Sequence, residues 1–155
     1  MSEPKLAHVY PILSRISFLG GIPEKDLDVI CKWLEPKHYA AGEIIAKEGE
    51  EPSHLYIIER GLVDLLITVE GVTKKKRCFE VGDSFGEAAM LSLINNTATF
   101  VASEPTELWT LSRKSLNALR KESPEVFSQL ILNLARDLAR KLQFTDELLL
   151  KGGSL

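Results

Sequence analysis

Apolar residues recur along this chain with two different periods, and the change of period divides the sequence into three parts. A helix is predicted to begin at Pro23, because proline suits a first helical turn, and to end before Pro36. Its apolar residues recur at helical spacing, at Leu27, Ile30 and Leu34. A shorter helix is predicted around Leu13–Ser17.

Between residues 37 and 111 the period becomes two, which is typical of half-buried strands. The predicted strands are His38–Tyr39, Ile44–Ala46, Leu55–Glu59, Leu62–Val69, Thr73–Phe79, Ala98–Ala102 and Leu108–Leu111. Within the fourth, one face is predicted to carry Val63, Leu65, Ile67 and Val69. Glu70 and Gly71 form a predicted hairpin turn. Because the strands are too close together for crossover helices, the sheet is predicted to be antiparallel.

The helical period returns after the last predicted strand. Ser112 is predicted to cap a helix that carries Leu116 and Leu119, and Ser123 with Pro124 marks the start of a second one. This last helix is amphipathic and is predicted to run into the 140s. Its apolar stripe consists of Phe127, Leu130, Ile131, Leu134, Leu138 and Leu142. One more short helix, Glu87–Ile94, is predicted inside the β region.

Size and composition are those of one folded domain. The chain has 155 residues, of which 45% are hydrophobic and 26% charged, so a single domain over residues 1–155 is expected. The predicted strands occupy about 37–111 and the C-terminal helices about 112–150. A net charge of −3 gives no support for binding duplex DNA, and no DNA-binding domain is expected. Without a signal-peptide pattern or an apolar run near ~20 residues, no membrane association and a cytoplasmic location are expected.

Residues that carry catalysis or bind metals give no positive signal. The three histidines, His8, His38 and His54, are isolated, and no nucleophile or metalloprotease motif occurs. Cys31 and Cys78 are too few for a disulfide framework and are expected to be buried as small apolar residues. The sequence therefore indicates a protein that is not an enzyme and holds no metal or cofactor.

The strongest local signal is the segment Gly82–Glu87, which precedes the short predicted helix. A glycine turn lets the backbone approach a ligand closely, and free N–H groups at a helix start suit a phosphate. Glu87 fits a sugar hydroxyl, because an ionised carboxylate only accepts hydrogen bonds. The alternative interpretation is that Glu87 merely complements the helix dipole.

Several spaced segments together resemble the cyclic-nucleotide-binding domain family, which includes catabolite-activator-type regulators and regulatory subunits of cyclic-AMP-dependent protein kinase. The similarity runs from about Phe18 to about Leu142. The segments that carry it are Tyr39–Ile45, Glu48–Glu50, Leu55–Val63, Gly82–Glu87, Ala98–Ala102, Leu111–Arg113 and the helix start at Pro124.

This resemblance implies a mainly β fold: an eight-stranded antiparallel jelly-roll (double-stranded β-helix) barrel with N-terminal helices and a C-terminal amphipathic helix. It also implies a phosphate-binding cassette for a cyclic nucleotide. Glu87 would accept a bond from the ribose 2′-hydroxyl, and Gly86 and Ala88 would offer backbone N–H groups. The implied ligand-binding residues are Phe85, Gly86, Glu87, Ala88, Asn96, Thr97 and Ala98.

The sequence departs from the family pattern at Asn96, which stands where the family has arginine. Arginine grips phosphate with a permanent charge and two parallel bonds, whereas asparagine offers one neutral amide. Losing such a charged partner costs about 2–5 kcal/mol, which is roughly a 30-fold to several-thousand-fold loss of affinity. Another basic residue would have to reach the site to compensate, and the sequence identifies none.

Two hypotheses follow for function. The first is a regulatory domain that binds a cyclic nucleotide, with cyclic AMP expected, and signals through its C-terminal helix. The second is a ligand-free scaffold that binds a partner protein. A homodimer through that helix and an effector protein are expected partners, and nucleic acid is not. The basic run Lys74–Arg77 is interpreted as a solvated edge strand, with contact to a partner or an anionic surface as the alternative.

Overall fold

The chain folds into two β-sheets flanked by helices. A computed structural model describes the backbone of residues 18–152 and the side chains of residues 18–143 and 150, so the predicted helix at Leu13–Ser17 lies outside the described residues. The helices are α1 (Glu24–Cys31), α2 (Glu87–Ser92), α3 (Arg113–Glu122) and α4 (Pro124–Gly152). The strands are β1 (Glu35–Tyr39), β2 (Ile44–Ala46), β3 (His54–Arg60), β4 (Val63–Val69), β5 (Val72–Phe79), β6 (Ser84–Phe85), β7 (Thr99–Ala102) and β8 (Thr106–Ser112).

The eight strands form two four-stranded sheets, with strand orders β1-β8-β3-β6 and β2-β7-β4-β5. Every pairing is antiparallel, which confirms the predicted mainly β antiparallel fold with flanking helices. Within the described residues, no pairing joins the two sheets into a closed barrel. The alternation of residues had predicted seven strands. The missing strand is β6, whose two residues are too short to show a period.

β1 pairs with β8, so the first and last strands of the described residues are neighbours; Glu35 lies opposite Thr110 and Tyr39 opposite Thr106. The helix before β1 ends earlier than predicted, at Cys31, and Pro36 lies within β1 instead of at a helix end. A proline is tolerated there because β1 is at the edge of its sheet.

β5 contains a bulge that separates its basic residues. Leu65 lies opposite Arg77 and Leu66 opposite Lys75, which leaves Lys76 as the extra residue. Arg77 therefore follows Leu65 towards the space between the sheets, whereas the Lys75 ammonium lies 3.8 Å from Asp64 on the other face.

The far end of the β4–β5 hairpin is not covered. Val69 was predicted on the face that carries Val63, yet Val69 is 64% exposed and Val63 is buried. The reason is that β7 pairs with β4 only from Val63 to Leu66, so the remainder of the hairpin projects beyond the sandwich.

The core consists of two clusters on opposite faces of β3. Leu55 and Ile57 pack against α1, α3 and α4, whereas Tyr56 and Ile58 face the interior of the sandwich. Because both faces of β3 are covered, its central residues form a continuous apolar run in the sequence. Cys31 is buried as predicted, and burial raises its thiol pKa to about 12. Cys78 is exposed, contrary to the prediction, because it lies opposite Asp64 and points away from the interior that the adjacent Phe79 faces.

The two C-terminal helices begin at the predicted caps. The backbone N–H of Ser115 donates to Ser112 Oγ at 3.0 Å, and α4 begins at Pro124. α4 extends to Gly152, further than predicted. Leu142 is 62% exposed and does not belong to the buried stripe. No helix in the described part of the chain combines the length and the apolar character that crossing a membrane requires.

Candidate ligand-binding site

The segment before α2 is fixed by pairing with β3. Phe85 lies opposite Tyr56, and their rings stack with centroids 4.7 Å apart. Gly86 follows with a φ of +91°, a conformation that side chains rarely adopt. A Cβ atom there would lie 2.7 Å from the carbonyl oxygen of His54. Glycine is therefore required so that the chain can turn this close to β3.

A cavity of about 260 Å³ opens beside this turn, and all the ligand-binding residues implied by the resemblance line it. They are Phe85, Gly86, Glu87, Ala88, Asn96, Thr97 and Ala98. The sequence did not point to the rest of the wall, which includes Leu65, Arg77, Phe79, Phe100, Leu138 and Lys141. The cavity therefore lies between one sheet, the α2 segment and the C-terminal helix.

Glu87 is the charged group at the centre of the site, and its side chain is 5% exposed. Its Oε1 accepts a hydrogen bond from the ammonium of Lys141 on α4, which also lies 3.0 Å from Asp137 Oδ2. The other carboxylate oxygen, Oε2, is buried without a hydrogen-bond partner among the described residues. A buried carboxylate needs a counterion, and Lys141 provides it here.

Asn96 is held against the loop between β2 and β3. Its amide Nδ2 donates to the carbonyl of Lys47 at 3.2 Å, and its backbone N–H donates to the carbonyl of Glu50 at 2.9 Å. Its carbonyl accepts from the N–H of Gly49 at 2.8 Å. One amide hydrogen is thus already used within the protein.

A second cavity, of about 240 Å³, lies on the other side of Asn96 and Gly86. Its walls include Lys47, Glu50 and His54. Gly86, Asn96 and Phe100 line both cavities, so the two cavities adjoin at position 96.

Two cations line the first cavity. The guanidinium of Arg77 lies 4.7 Å from the centroid of the Phe79 ring, a stacked cation–π contact. Lys141 reaches in from α4. The sequence contains a weak indication of both positions. Arg77 is two residues before Phe79, so the two share a strand face, and Lys141 is three residues after Leu138, so the two share a helix face.

His54 stands at the edge of the second cavity. Its Nδ1 lies 2.7 Å from Ser53 Oγ. Burial lowers the pKa of His54 below its ordinary value of 6.5, and the nearby charge of Lys37 lowers it further. The neutral imidazole is thus the form that the folded chain favours.

The geometry defines a class of protein: a β-sandwich domain with a cavity that is lined by a buried carboxylate, Glu87, and by residues of the C-terminal helix. Residues 36–123 match the family described as "Cyclic nucleotide-binding domain". The match covers more than half of the chain, and the chain belongs to this family.

Known relatives include regulators of protein kinases. The chain is 32% identical over 113 residues to the cAMP-dependent protein kinase regulatory subunit of Yarrowia lipolytica, which covers 73% of this chain and 29% of that protein. It therefore spans less than a third of the length of that relative.

Solved structures of the same fold include the catabolite activator protein of Thermus thermophilus, with a TM-score of 0.76, 29% identity and coverage of 86% of this chain and 61% of that one. The regulatory subunit of a cAMP-independent protein kinase A from Trypanosoma cruzi, bound to guanosine, superposes with a TM-score of 0.73 and 26% identity, over 94% of this chain and 50% of that one.

Proposed function

We propose that the chain is a non-enzymatic regulatory domain, a single unit over residues 1–155, that binds a cyclic nucleotide, cyclic AMP first, and signals through α4. The observation that carries this proposal is the cavity of about 260 Å³ between the Gly86–Ala88 turn and α4. Its buried carboxylate, Glu87, is joined directly to the C-terminal helix through Lys141.

The chemistry of the proposed binding step follows from Glu87. Its free oxygen, Oε2, accepts the hydrogen bond of a ribose hydroxyl, which supplies the partner that this buried atom lacks. A ligand in the cavity contacts Leu138 and Lys141, because both line it. Binding therefore changes the contacts that hold α4 over the site, and the position of α4 is the output signal.

A nucleoside without phosphate is the second candidate ligand, and Asn96 favours it. The neutral amide donates to the carbonyl of Lys47, so it offers little to a phosphate. A relative that is 26% identical was solved with guanosine bound. In this version of the proposal, the nucleoside is recognised by Glu87 and by the rings of Phe79, Phe85 and Phe100, and no group that binds phosphate is needed.

The same proposal includes the surroundings in which the domain works. We place it in the cytoplasm, where its two free cysteines stay reduced.

Apolar residues on the outside of α4 suit pairing with a second copy, and they include Leu132, Leu142 and Leu150. Analytical ultracentrifugation of the purified chain tests this homodimer, which is absent if the chain sediments as a monomer at high concentration.

A thermal-shift titration with cyclic AMP, cyclic GMP, AMP, adenosine and guanosine tests the ligand. A ligand that binds only the folded state stabilises it by about 2.7 kcal/mol at a hundredfold excess over Kd. Saturating shifts with cyclic nucleotides alone support the first candidate, and shifts with nucleosides alone support the second. No shift with any of them at millimolar concentration contradicts both, and leaves the domain as a ligand-free scaffold for a partner protein.

A further inference from the structure

An open cleft of about 630 Å³ lies between α3 and the first turn of α4, away from the two cavities beside Gly86. Its apolar part is formed by Leu116, which is 9% exposed, and by the half-buried ring of Phe127. Its polar part is strongly basic and consists of Arg113, Lys114, Asn117 and Arg120.

Hydrogen bonds hold the two arginines of this cleft in place but do not neutralise their positive charge. Arg120 donates from Nε and Nη2 to Asn117 Oδ1, at 3.1 and 2.8 Å. Arg113 donates from Nη2 to the carbonyl of Pro52 at 3.2 Å. Both acceptors are uncharged, and no carboxylate is among the residues that line the cleft. Three cations are thus gathered on one face of a chain whose net charge is −3.

We propose that this cleft docks an acidic peptide segment of a partner protein, with one aromatic or aliphatic side chain on Leu116 and Phe127 and carboxylates against Arg113, Lys114 and Arg120. Arginine and lysine pair well with carboxylates at an interface, and a desolvated apolar anchor supplies most of the binding energy. The chemistry of the partner is inferred from charge complementarity and from the apolar surface of Leu116 and Phe127.

A peptide fits these observations better than an extended polyanion does. Nucleic acid or an anionic membrane needs a broad basic surface, because affinity rises with each phosphate neutralised. Here the basic residues surround one apolar depression of limited volume, and the remaining surface of the chain carries a net negative charge. The cleft accommodates a few side chains of a peptide.

The cleft is connected by hydrogen bonds to the second cavity, which adjoins the proposed ligand site at Gly86 and Asn96. The backbone N–H of Arg113 donates to the carbonyl of Ser53 at 3.0 Å, and its side chain bonds Pro52. Pro52 and Ser53 line the second cavity, next to Asn96. Any coupling between peptide docking and ligand binding depends on the proposed function. The docking of the peptide does not depend on it.

The test uses the full chain and a fluorescent peptide with one central phenylalanine flanked by glutamates. Binding is followed by fluorescence anisotropy at low salt and located by two-dimensional ¹H–¹⁵N NMR. We expect shifts confined to α3 and the start of α4, and an affinity about tenfold lower for the variant Lys114→Glu, because charges at an interface act mainly through complementarity and are screened by salt. Lys74→Glu, an exposed charge reversal on β5, is the matched control and should bind like the wild type.

Three results would overturn the proposal. One is no binding of this peptide at millimolar concentration. Another is equal weakening by Lys74→Glu, or equal binding of a peptide whose phenylalanine is replaced by alanine, since either means non-specific charge attraction. The third is tighter binding to a DNA duplex or to phosphatidylserine vesicles than to the peptide. Circular dichroism confirms that the reversed variants remain folded, and ligand titration by thermal shift separates a failure here from a failure of the proposed nucleotide site.

Discussion

The ammonium of Lys141 on α4 forms a hydrogen bond with the carboxylate of Glu87, a residue 54 positions earlier in the chain. Glu87 begins the six-residue helix α2, and its side chain is buried. The pair joins the C-terminal helix to the cavity, and it occupies the carboxylate that the family resemblance assigns to a ribose hydroxyl. Lys141 uses Oε1 of this carboxylate, so the proposed ligand and the helix would share one group through its two oxygens.

Replacing Lys141 by methionine should lower the free energy of unfolding by about 2–3 kcal/mol, because it leaves a buried carboxylate without its counterion. Arg140→Met is the matched control on the exposed side of the same helix and should change stability by less than about 0.5 kcal/mol. Urea denaturation measures both. The double variant Lys141→Met/Glu87→Gln should recover part of the loss, and a strictly additive effect would contradict the pairing.

Comparing Gly86→Ala with Gly82→Ala separates two costs of adding a side chain: backbone strain and steric overlap with neighbouring atoms. Both glycines have φ near +90°, so both substitutions introduce strain of about 1 kcal/mol. An added Cβ at Gly82 meets nothing within 4 Å, whereas at Gly86 it lies 2.7 Å from the carbonyl of His54. We expect Gly86→Ala to cost at least about 2 kcal/mol more in unfolding free energy. Equal costs would show that the turn relaxes away from β3.

Asn96→Arg should increase affinity for cyclic AMP by roughly 30-fold to several thousand-fold and leave adenosine almost unchanged, because the gain comes from a charged bond to phosphate. Position 96 lines the cavity of about 260 Å³ in which the ligand is proposed to bind, so the longer side chain can reach a phosphate there. Asn95→Arg adds the same charge at the exposed neighbouring position and is the control. Isothermal titration calorimetry measures each affinity. A gain shared by adenosine, or by Asn95→Arg, would argue against a phosphate-specific effect.

His54 should make the chain less stable in mild acid. Its pKa is lowered in the folded state by burial and by Lys37, so its contribution to stability is present above the unfolded value of 6.5 and is lost as the pH falls through 6.5 towards the lower folded pKa. His54→Asn should flatten the fall in unfolding free energy over that range. His38→Asn is the comparison, because its side chain is 72% exposed. Identical pH profiles for the wild type and His54→Asn would refute this.

Much of the architecture was predictable because local patterns and long-range packing agree. The alternation along the chain gave seven of the eight strands, and Ser112 and Pro124 marked the helix starts that the structure has. β6 was missed because two residues carry no period, and its place depends on pairing with β3. Pro36 was misinterpreted as a helix stop, since only the sheet order reveals that β1 is an edge strand.

The parts of the candidate site that lie close together in sequence were predictable, whereas the residues that distant elements bring to it were not. The turn at Gly86 was indicated by the local sequence and the segment Asn96–Ala98 by the family resemblance, and the structure brings them to one cavity. Lys141 and Arg77 were not found, because each lies on an element whose orientation is set by tertiary packing. The apolar stripe of α4 suggested that Leu142 points inward, yet the helix turns Asp137 and Lys141 towards Glu87 instead.

The pairing of β1 with β8 has a consequence for biosynthesis. Glu35 and Thr110 are neighbours in space, so the sheet that carries β3 and β6 cannot be completed until β8 has left the ribosome. Closing so long a loop before its contacts form is entropically unfavourable and slows folding. Meanwhile the apolar faces of β3 lack their covering strands and helices. The nascent chain is therefore expected to expose these apolar faces until β8 emerges from the exit tunnel.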